Sequence, residues 1–191
     1  MAQGIYLDNS SITRPSEQAV SSMYPYLVDK WGTPSAPHQM GQELFPVIEE
    51  SYHAIYKMLG AKDDDDFVFV SCGPEAVNQV IQSTWLEVSL PTGKNHYLTS
   101  SIDEAPSIMA VGRLERYGAV GSMIKPEKEG FVSLQKVIEA ITPRTALLSL
   151  SWANALTGVI NPVAEIGALC RDRGIKFHLE ASHVLGKLFY D

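Results

Sequence analysis

At 191 residues the chain is long enough for one domain with a sizeable hydrophobic core. A composition that is 45% hydrophobic and 19% charged excludes a disordered segment. The net charge of −7, from 15 basic and 22 acidic residues without a basic stripe, argues against nucleic acid as a partner. The two cysteines, Cys72 and Cys170, build no disulfide framework and point to a reducing compartment. The opening residues lack the basic and apolar regions of a signal peptide, and no apolar run reaches membrane-spanning length, so a cytoplasmic location is expected.

Ile5-Tyr6-Leu7 reads as a short strand before the polar turn Asp8 to Ser11. Pro15 and Ser16 open a helix through about Val28, with Ala19, Val20, Met23 and Leu27 on one face. Trp31 to Pro37 holds Gly32, Pro34 and Pro37 and must be loop. A long helix is predicted from about Gly41 to Leu59, capped by Gly60. The acidic run Asp63 to Asp66 has neither the alternating ligands nor the glycine of a calcium loop, and reads as a solvated turn.

Phe67 to Val70, all β-formers, predicts a strand that runs into Ser71-Cys72-Gly73-Pro74 and then a helix. A glycine turn followed by proline in the first helical turn presents free N–H groups to an anion. The pattern then repeats. Strands are predicted at His96–Thr99, Ala119–Ile124, Ala146–Leu150 and Ile175–Leu179, with helices at Ala105–Arg116, Ser133–Ala140 and from Pro162 to about Arg173. Lys187 to Tyr190 resembles the start of a further strand. This alternation predicts a three-layer α/β/α fold with a mostly parallel sheet, in a single domain over 1–191 with residues 1–40 as an N-terminal arm. The last predicted strand delivers Glu180 to its carboxyl end, where open α/β sheets bind ligands, and burying that carboxylate demands a partner.

These turns, taken together, resemble the cysteine desulfurases of the class V aminotransferase family, fold type I of the pyridoxal phosphate enzymes. Tyr6-Leu7-Asp8-Asn9 is similar to the family's YLDN opening, and Gly32-Thr33-Pro34-Ser35 with His38 and Gly41 to its GNPSS-xH-xxG loop. Ser71-Cys72-Gly73 with Asn78 resembles the phosphate turn. Ala153-Asn154-Ala155-Leu156-Thr157-Gly158-Val159-Ile160 resembles ANNETGVI, and His178-Leu179-Glu180-Ala181-Ser182-His183 with Gly186-Lys187 resembles HVDAAQ-xxGK. The matches run in register along nearly the whole chain.

The resemblance implies the large domain of a pyridoxal phosphate transferase, incomplete at its C-terminus. It also implies pyridoxal 5'-phosphate as cofactor, an amino-acid substrate such as cysteine processed through an aldimine, and a homodimer. On the same basis the cofactor-binding residues are Cys72, Gly73 and Pro74 around the phosphate, Asn154, Glu180 at the ring nitrogen, and His183 near the phenolic oxygen. The chain departs from the pattern at several of these places. Glu180 replaces an aspartate, and Glu75 replaces a threonine beside the phosphate, where a second anion is repulsive. Pro74 removes a donor. Glu104 or Ala105 takes the place of the ring-stacking histidine, and Ala155 that of an asparagine. The family's Schiff-base lysine follows further on, and Lys187, on the matching GK, is too near Glu180 to replace it. The nucleophilic cysteine also belongs to a later loop, so Cys72 and Cys170 are not candidates. Catalytic residues are therefore not assigned within this chain. The alternative to an enzyme is a catalytically degenerate relative that keeps the fold as a binding or dimerisation scaffold. A nucleotide-binding domain is disfavoured, because Ser71 to Pro74 has neither GxGxxG nor a Walker lysine.

Overall fold

The predicted repeat of strands and helices is realised as a parallel sheet. The computed structural model describes residues 4–188. Its contacts divide the chain into two units, Met1–Phe69 and Val70–Asp191.

In the second unit the strands are β1 (His96–Ser100), β2 (Val120–Ile124), β3 (Thr145–Ser151) and β4 (Lys176–Glu180), in the order β2-β1-β3-β4 and all parallel. The central pair, β1 and β3, is buried along its whole length, while β2 and β4 at the edges are partly exposed. That explains why Thr145 to Ser151 reads as a near-continuous run instead of alternating: both faces of the strand are covered. Tyr97 and Leu147 face a layer made by α4 (Gly73–Thr84) and α6 (Ala105–Leu114), with Val77, Ile81, Val111 and Leu114 filling it. Leu98, Leu148 and Leu150 face the opposite layer, where Val137 of α7 (Leu134–Ala140) and Ile166 and Cys170 of α8 (Val163–Asp172) complete the core. Each fully buried leucine or isoleucine contributes roughly 1.5–3 kcal/mol from area removed from water. The three-layer α/β/α expectation is met.

Local chemistry sets the helix ends. Ser133 Oγ accepts the Lys136 N–H at the start of α7. Burial pushes the Cys170 thiol up to about 11, so it packs as a small hydrophobe. Sequence periodicity does not reveal that α4 runs on through a π-helical turn, Trp85–Ser89, into the short α5 (Leu90–Thr92). Pro91 has no N–H to give and its ring would crowd the carbonyl four residues back, which opens the ladder; Leu90 N–H reaches Trp85 O instead. The widened turn aims Ser89 Oγ at Tyr97 OH, 2.6 Å away and buried.

Two histidines, His96 buried and His178 half-buried, cross-link the sheet. His96 places Nδ1 2.8 Å from Thr145 Oγ1 and Nε2 3.0 Å from Ser122 Oγ, joining β1 to both neighbours. His178 Nδ1 lies 2.8 Å from Ser149 Oγ. Burial lowers both rings below their ordinary value of 6.5, with Glu180 acting in the opposite sense on His178. A depressed histidine stabilises the fold fully above the unfolded value, and that contribution is lost as the pH falls below it, because the unfolded chain takes up the proton first. The urea midpoint is therefore expected to decline between pH 7.5 and 5.5, and His178→Asn is expected to flatten that slope. An unchanged slope would assign the pH response to other groups.

The first unit holds α1 (Glu17–Val28), capped by Ser16 Oγ accepting the Ala19 N–H, then α2 (Gln39–Gln42) and α3 (Phe45–Leu59). The single helix expected from Gly41 to Leu59 is thus broken at Glu43 and Leu44. Pro46, in the first turn of α3, starts a new helix because it cannot continue the old one. Gly60 ends α3 with φ 63°, and Ala61 N–H donates to Tyr56 O. Gly41 is buried, and a Cβ there would lie 2.5 Å from Thr33 O and 2.6 Å from Ala36 O, so the loop before it closes only over glycine.

Three further expectations are corrected. Ile5 to Leu7 forms no strand; Ile5 and Leu7 are 85% and 87% exposed, and Tyr6 OH donates to Asp8 O and Ile12 O. Phe67 to Val70 is likewise not a strand, because no described strand supplies a ladder; Phe67 and Phe69 pack edge-on against Tyr52 with centroids 5.8 and 5.5 Å away. Lys187 and Leu188 lie in a turn after Glu180, and the remainder of the expected strand, Phe189 and Tyr190, lies outside the described residues. Asp63 and Asp64 do form a turn, with Asp65 Oδ2 accepting the Lys62 N–H.

Candidate functional site

In a parallel sheet every strand ends on the same side, so the loops after β1, β3 and β4 converge. Asp103, just past β1, accepts the Ser100 N–H at Oδ2 (2.7 Å) and the Ser151 N–H at Oδ1 (2.9 Å). One buried carboxylate thereby clips the ends of β1 and β3 together. Burial pushes its carboxyl above the usual aspartate range; the two N–H donors oppose the shift, and the charge of Glu180 adds a little to it.

Beside this clip the structure assembles Glu104, Glu180 and His183, each offering one polar atom within 4.8 Å of the others. His183 Nε2–H donates to Glu104 Oε1 at 2.6 Å, and the imidazole is only 17% exposed. Glu180, at the end of β4, accepts the Ser182 N–H at Oε1 (2.9 Å). Its Oε2 is buried and has no hydrogen-bond partner, and the same is true of His183 Nδ1. No lysine or arginine among the described residues pairs with Glu180. Leaving such atoms unpaired costs roughly 1–3 kcal/mol each, so the arrangement invites a ligand group that can bond both.

Asn154 is placed on the loop after β3, but its amide is committed. Nδ2 donates to Ile102 O, and Oδ1 accepts from the N–H groups of Leu156 and Thr157 and from Thr157 Oγ1. It holds the loop against the segment that carries Asp103 and Glu104. Asn161, which sequence reasoning did not single out, works alike: Oδ1 accepts the Val132 N–H and Nδ2 donates to Ser151 O. Ala155 offers no polar group at its place.

Cys72, Gly73 and Pro74 lie at the N-terminus of α4, a helix that contacts β3 and β4. Cys72 is exposed and caps the helix through its backbone, and a Cβ at Gly73 would meet nothing within 4 Å. Both donors of Ser71 in this turn are already engaged. Ser71 N–H donates to Glu75 Oε2 at 2.7 Å and Ser71 Oγ–H bonds the same oxygen. These bonds hold the Glu75 carboxyl below its usual value, hence ionised at neutral pH. Among the described residues this turn shares no hydrogen bond or ion pair with the Glu104–Glu180–His183 cluster.

The fold agrees with comparisons to known proteins. The family model for class V aminotransferases matches residues 5–191. The chain belongs to the class V aminotransferase family. Within it, the chain is similar to cysteine desulfurase 2 of Trichormus variabilis, 30% identical over 184 residues that cover 96% of this chain and 45% of that protein. It is also 28% identical over 187 residues to the cysteine desulfurase NifS of Azotobacter vinelandii, covering 98% of this chain and 46% of the relative. Among solved structures, SspA in complex with cysteine superposes with a TM-score of 0.83 at 28% identity, covering 94% of this chain and 51% of that one. DndA from Streptomyces lividans gives 0.82 at 26% identity, covering 96% and 51%. The chain spans about half the length of the curated relatives it matches. Among the described residues no helix is long and apolar enough to cross a membrane.

Proposed function

We propose that this chain is the cofactor-site portion of a pyridoxal 5'-phosphate protein of the cysteine desulfurase type, acting on an amino acid such as cysteine. The observation that carries the reading is the buried, unpartnered Oε2 of Glu180 at the carboxyl end of β4. A protonated ring nitrogen supplies the partner this oxygen lacks, and Ser182 N–H already holds the other oxygen in place. The ring end of the cofactor therefore fits the residues present. His183 Nδ1, the other orphan, offers a second contact, and Glu104 fixes that imidazole through Nε2. When bound, pyridoxal phosphate supplies an electron sink for the substrate's α-carbon. Glu180 would keep the ring nitrogen protonated, Asp103 would hold the strand ends that flank the ring, and Asn154 would shape the loop beside it. Cys72, Gly73 and Pro74 would face the phosphate, with Gly73 leaving room for close approach. The lysine and the sulfur-accepting cysteine would come from the remainder of a longer protein. On the family's pattern we place it in the cytoplasm as a homodimer, with residues 1–191 contributing to one α/β domain and 1–40 forming an arm.

Adding pyridoxal phosphate to the protein extended beyond Asp191 is expected to give a visible absorbance band. Replacing the lysine of the later Ser/Thr-x-His turn should abolish it. An extended protein with no such band, and no turnover of any amino acid, would leave the scaffold reading instead. Specific observations favour that second reading: Glu75 engages the Ser71 donors of the phosphate turn, and Glu104 or Ala105, neither of which can stack on a ring, takes the place of the stacking histidine. If it holds, restoring the family's side chains at 75, at 104 or 105, and at 155 creates cofactor binding where there was none.

A further inference from the structure

We propose that Glu75 is a built-in anion that competes with the cofactor's phosphate for the Ser71–Gly73 turn, so that the phosphate contributes little to binding. This rests in part on the reading above, since it concerns the same ligand at its other end. An anion-binding turn works by offering unpaired N–H and O–H groups ahead of a helix N-terminus, where the helix dipole adds to their pull. Here both groups of Ser71, the N–H and the Oγ–H, point to a single oxygen of Glu75, four residues on. Glu75 and Ala76 N–H groups both turn back to Cys72 O, and Pro74 has no N–H to offer. Of the N–H groups from Ser71 to Ala76, those of Cys72 and Gly73 are left.

A phosphate entering this turn must therefore displace a carboxylate that is covalently tethered and already ionised, or accept its repulsion at close range. The tether matters because an intramolecular partner acts at a high effective concentration. Space is not the obstacle, for the position above Gly73 is open. The turn keeps the shape of an anion site and carries its own anion. Ring contacts through Glu180 and His183 would then dominate cofactor affinity, which makes the unphosphorylated ring nearly as good a ligand as the phosphorylated one.

The full chain can be titrated with inorganic phosphate, following the amide resonances of Ser71 and Gly73, and with pyridoxamine and pyridoxamine 5'-phosphate, which carry no aldehyde to react with surface lysines. In the wild type, the phosphorylated ring is expected to bind within about threefold of the unphosphorylated one, and phosphate to shift the two amides weakly. In Glu75→Ala, phosphate binding should strengthen about tenfold, and the phosphorylated ring should gain by a similar factor over pyridoxamine. Glu75→Gln, which loses the charge and keeps the shape, should fall between. A wild type that already prefers the phosphorylated ring tenfold would overturn the proposal. Equal phosphate binding in the wild type and Glu75→Ala, or none in either, would overturn it too. Failure of pyridoxamine to bind any variant, while Glu75→Ala still gains phosphate, would instead count against the cofactor reading and leave the role of Glu75 standing.

Discussion

Glu180→Ala, in the protein extended beyond Asp191, is expected to lower amino-acid turnover by about two to three orders of magnitude, the size seen when one preorganised electrostatic partner of a reacting group is removed. The substitution removes the unpartnered, buried Oε2 at the end of β4 and with it the anion that would hold a ring nitrogen protonated. Without Glu180 a bound ring would be a poorer electron sink, so the loss should appear in kcat more than in KM. Glu180→Asp keeps the charge one methylene back, and turnover within about tenfold of wild type is expected if strand and ring adjust. Steady-state kinetics together with the cofactor's absorbance spectrum check this. Turnover in Glu180→Ala equal to wild type would remove Glu180 from the chemistry altogether.

The second large effect is on stability. Asp103→Ala should cost about 3 kcal/mol, because it leaves the Ser100 and Ser151 N–H groups buried without an acceptor where each had a charge-assisted bond. Asp103 is 8% exposed, so water is a poor substitute. Asp103→Asn keeps one acceptor but turns an NH₂ toward the second N–H, and a loss of about 2 kcal/mol is expected. Denaturant melts of both variants would measure this, and a change below about 0.5 kcal/mol in Asp103→Ala would show that the clip is dispensable. The carboxyl also carries a pH signature. Its folded pKa is raised above the ordinary 3.8, so its proton-linked contribution is present below that value and is lost as the pH rises through the folded pKa. Asp103→Ala should lack that part of the acid-side slope.

Much of the framework was legible in the residues. β3 and its burial follow from an uninterrupted run of β-formers and small residues, and Ser16, Ser133 and Gly60 mark helix ends through bonds made within a few positions. Pro162 and Pro74 likewise mark the helix starts they precede or enter, since proline is tolerated where no intrahelical donor is needed. Glu75 reaches Ser71 across only four residues, but which donors its carboxylate meets depends on how the chain turns into α4, which residue types alone do not specify. The same local rules misled at Ile5 to Leu7 and Phe67 to Val70. There β-propensity was real, but among the described residues no strand partner lies alongside, and a strand exists only in a pair. Pro46 and Pro91 could have warned of the break before α3 and the widened turn after α4.

The amino-acid sequence by itself determined the alternation of strands and helices, the caps that bound them, and the delivery of Glu180 to a strand end. Those depend on contacts between near neighbours and on periodicity. Only the tertiary structure decided that Asp103 reaches Ser151 across 48 residues, that His183 reaches Glu104 across 79, and that Oε2 of Glu180 is left without a partner. Parallel pairing brings distant strand ends to one side of the sheet, and which side chains meet there is fixed by sheet order and register.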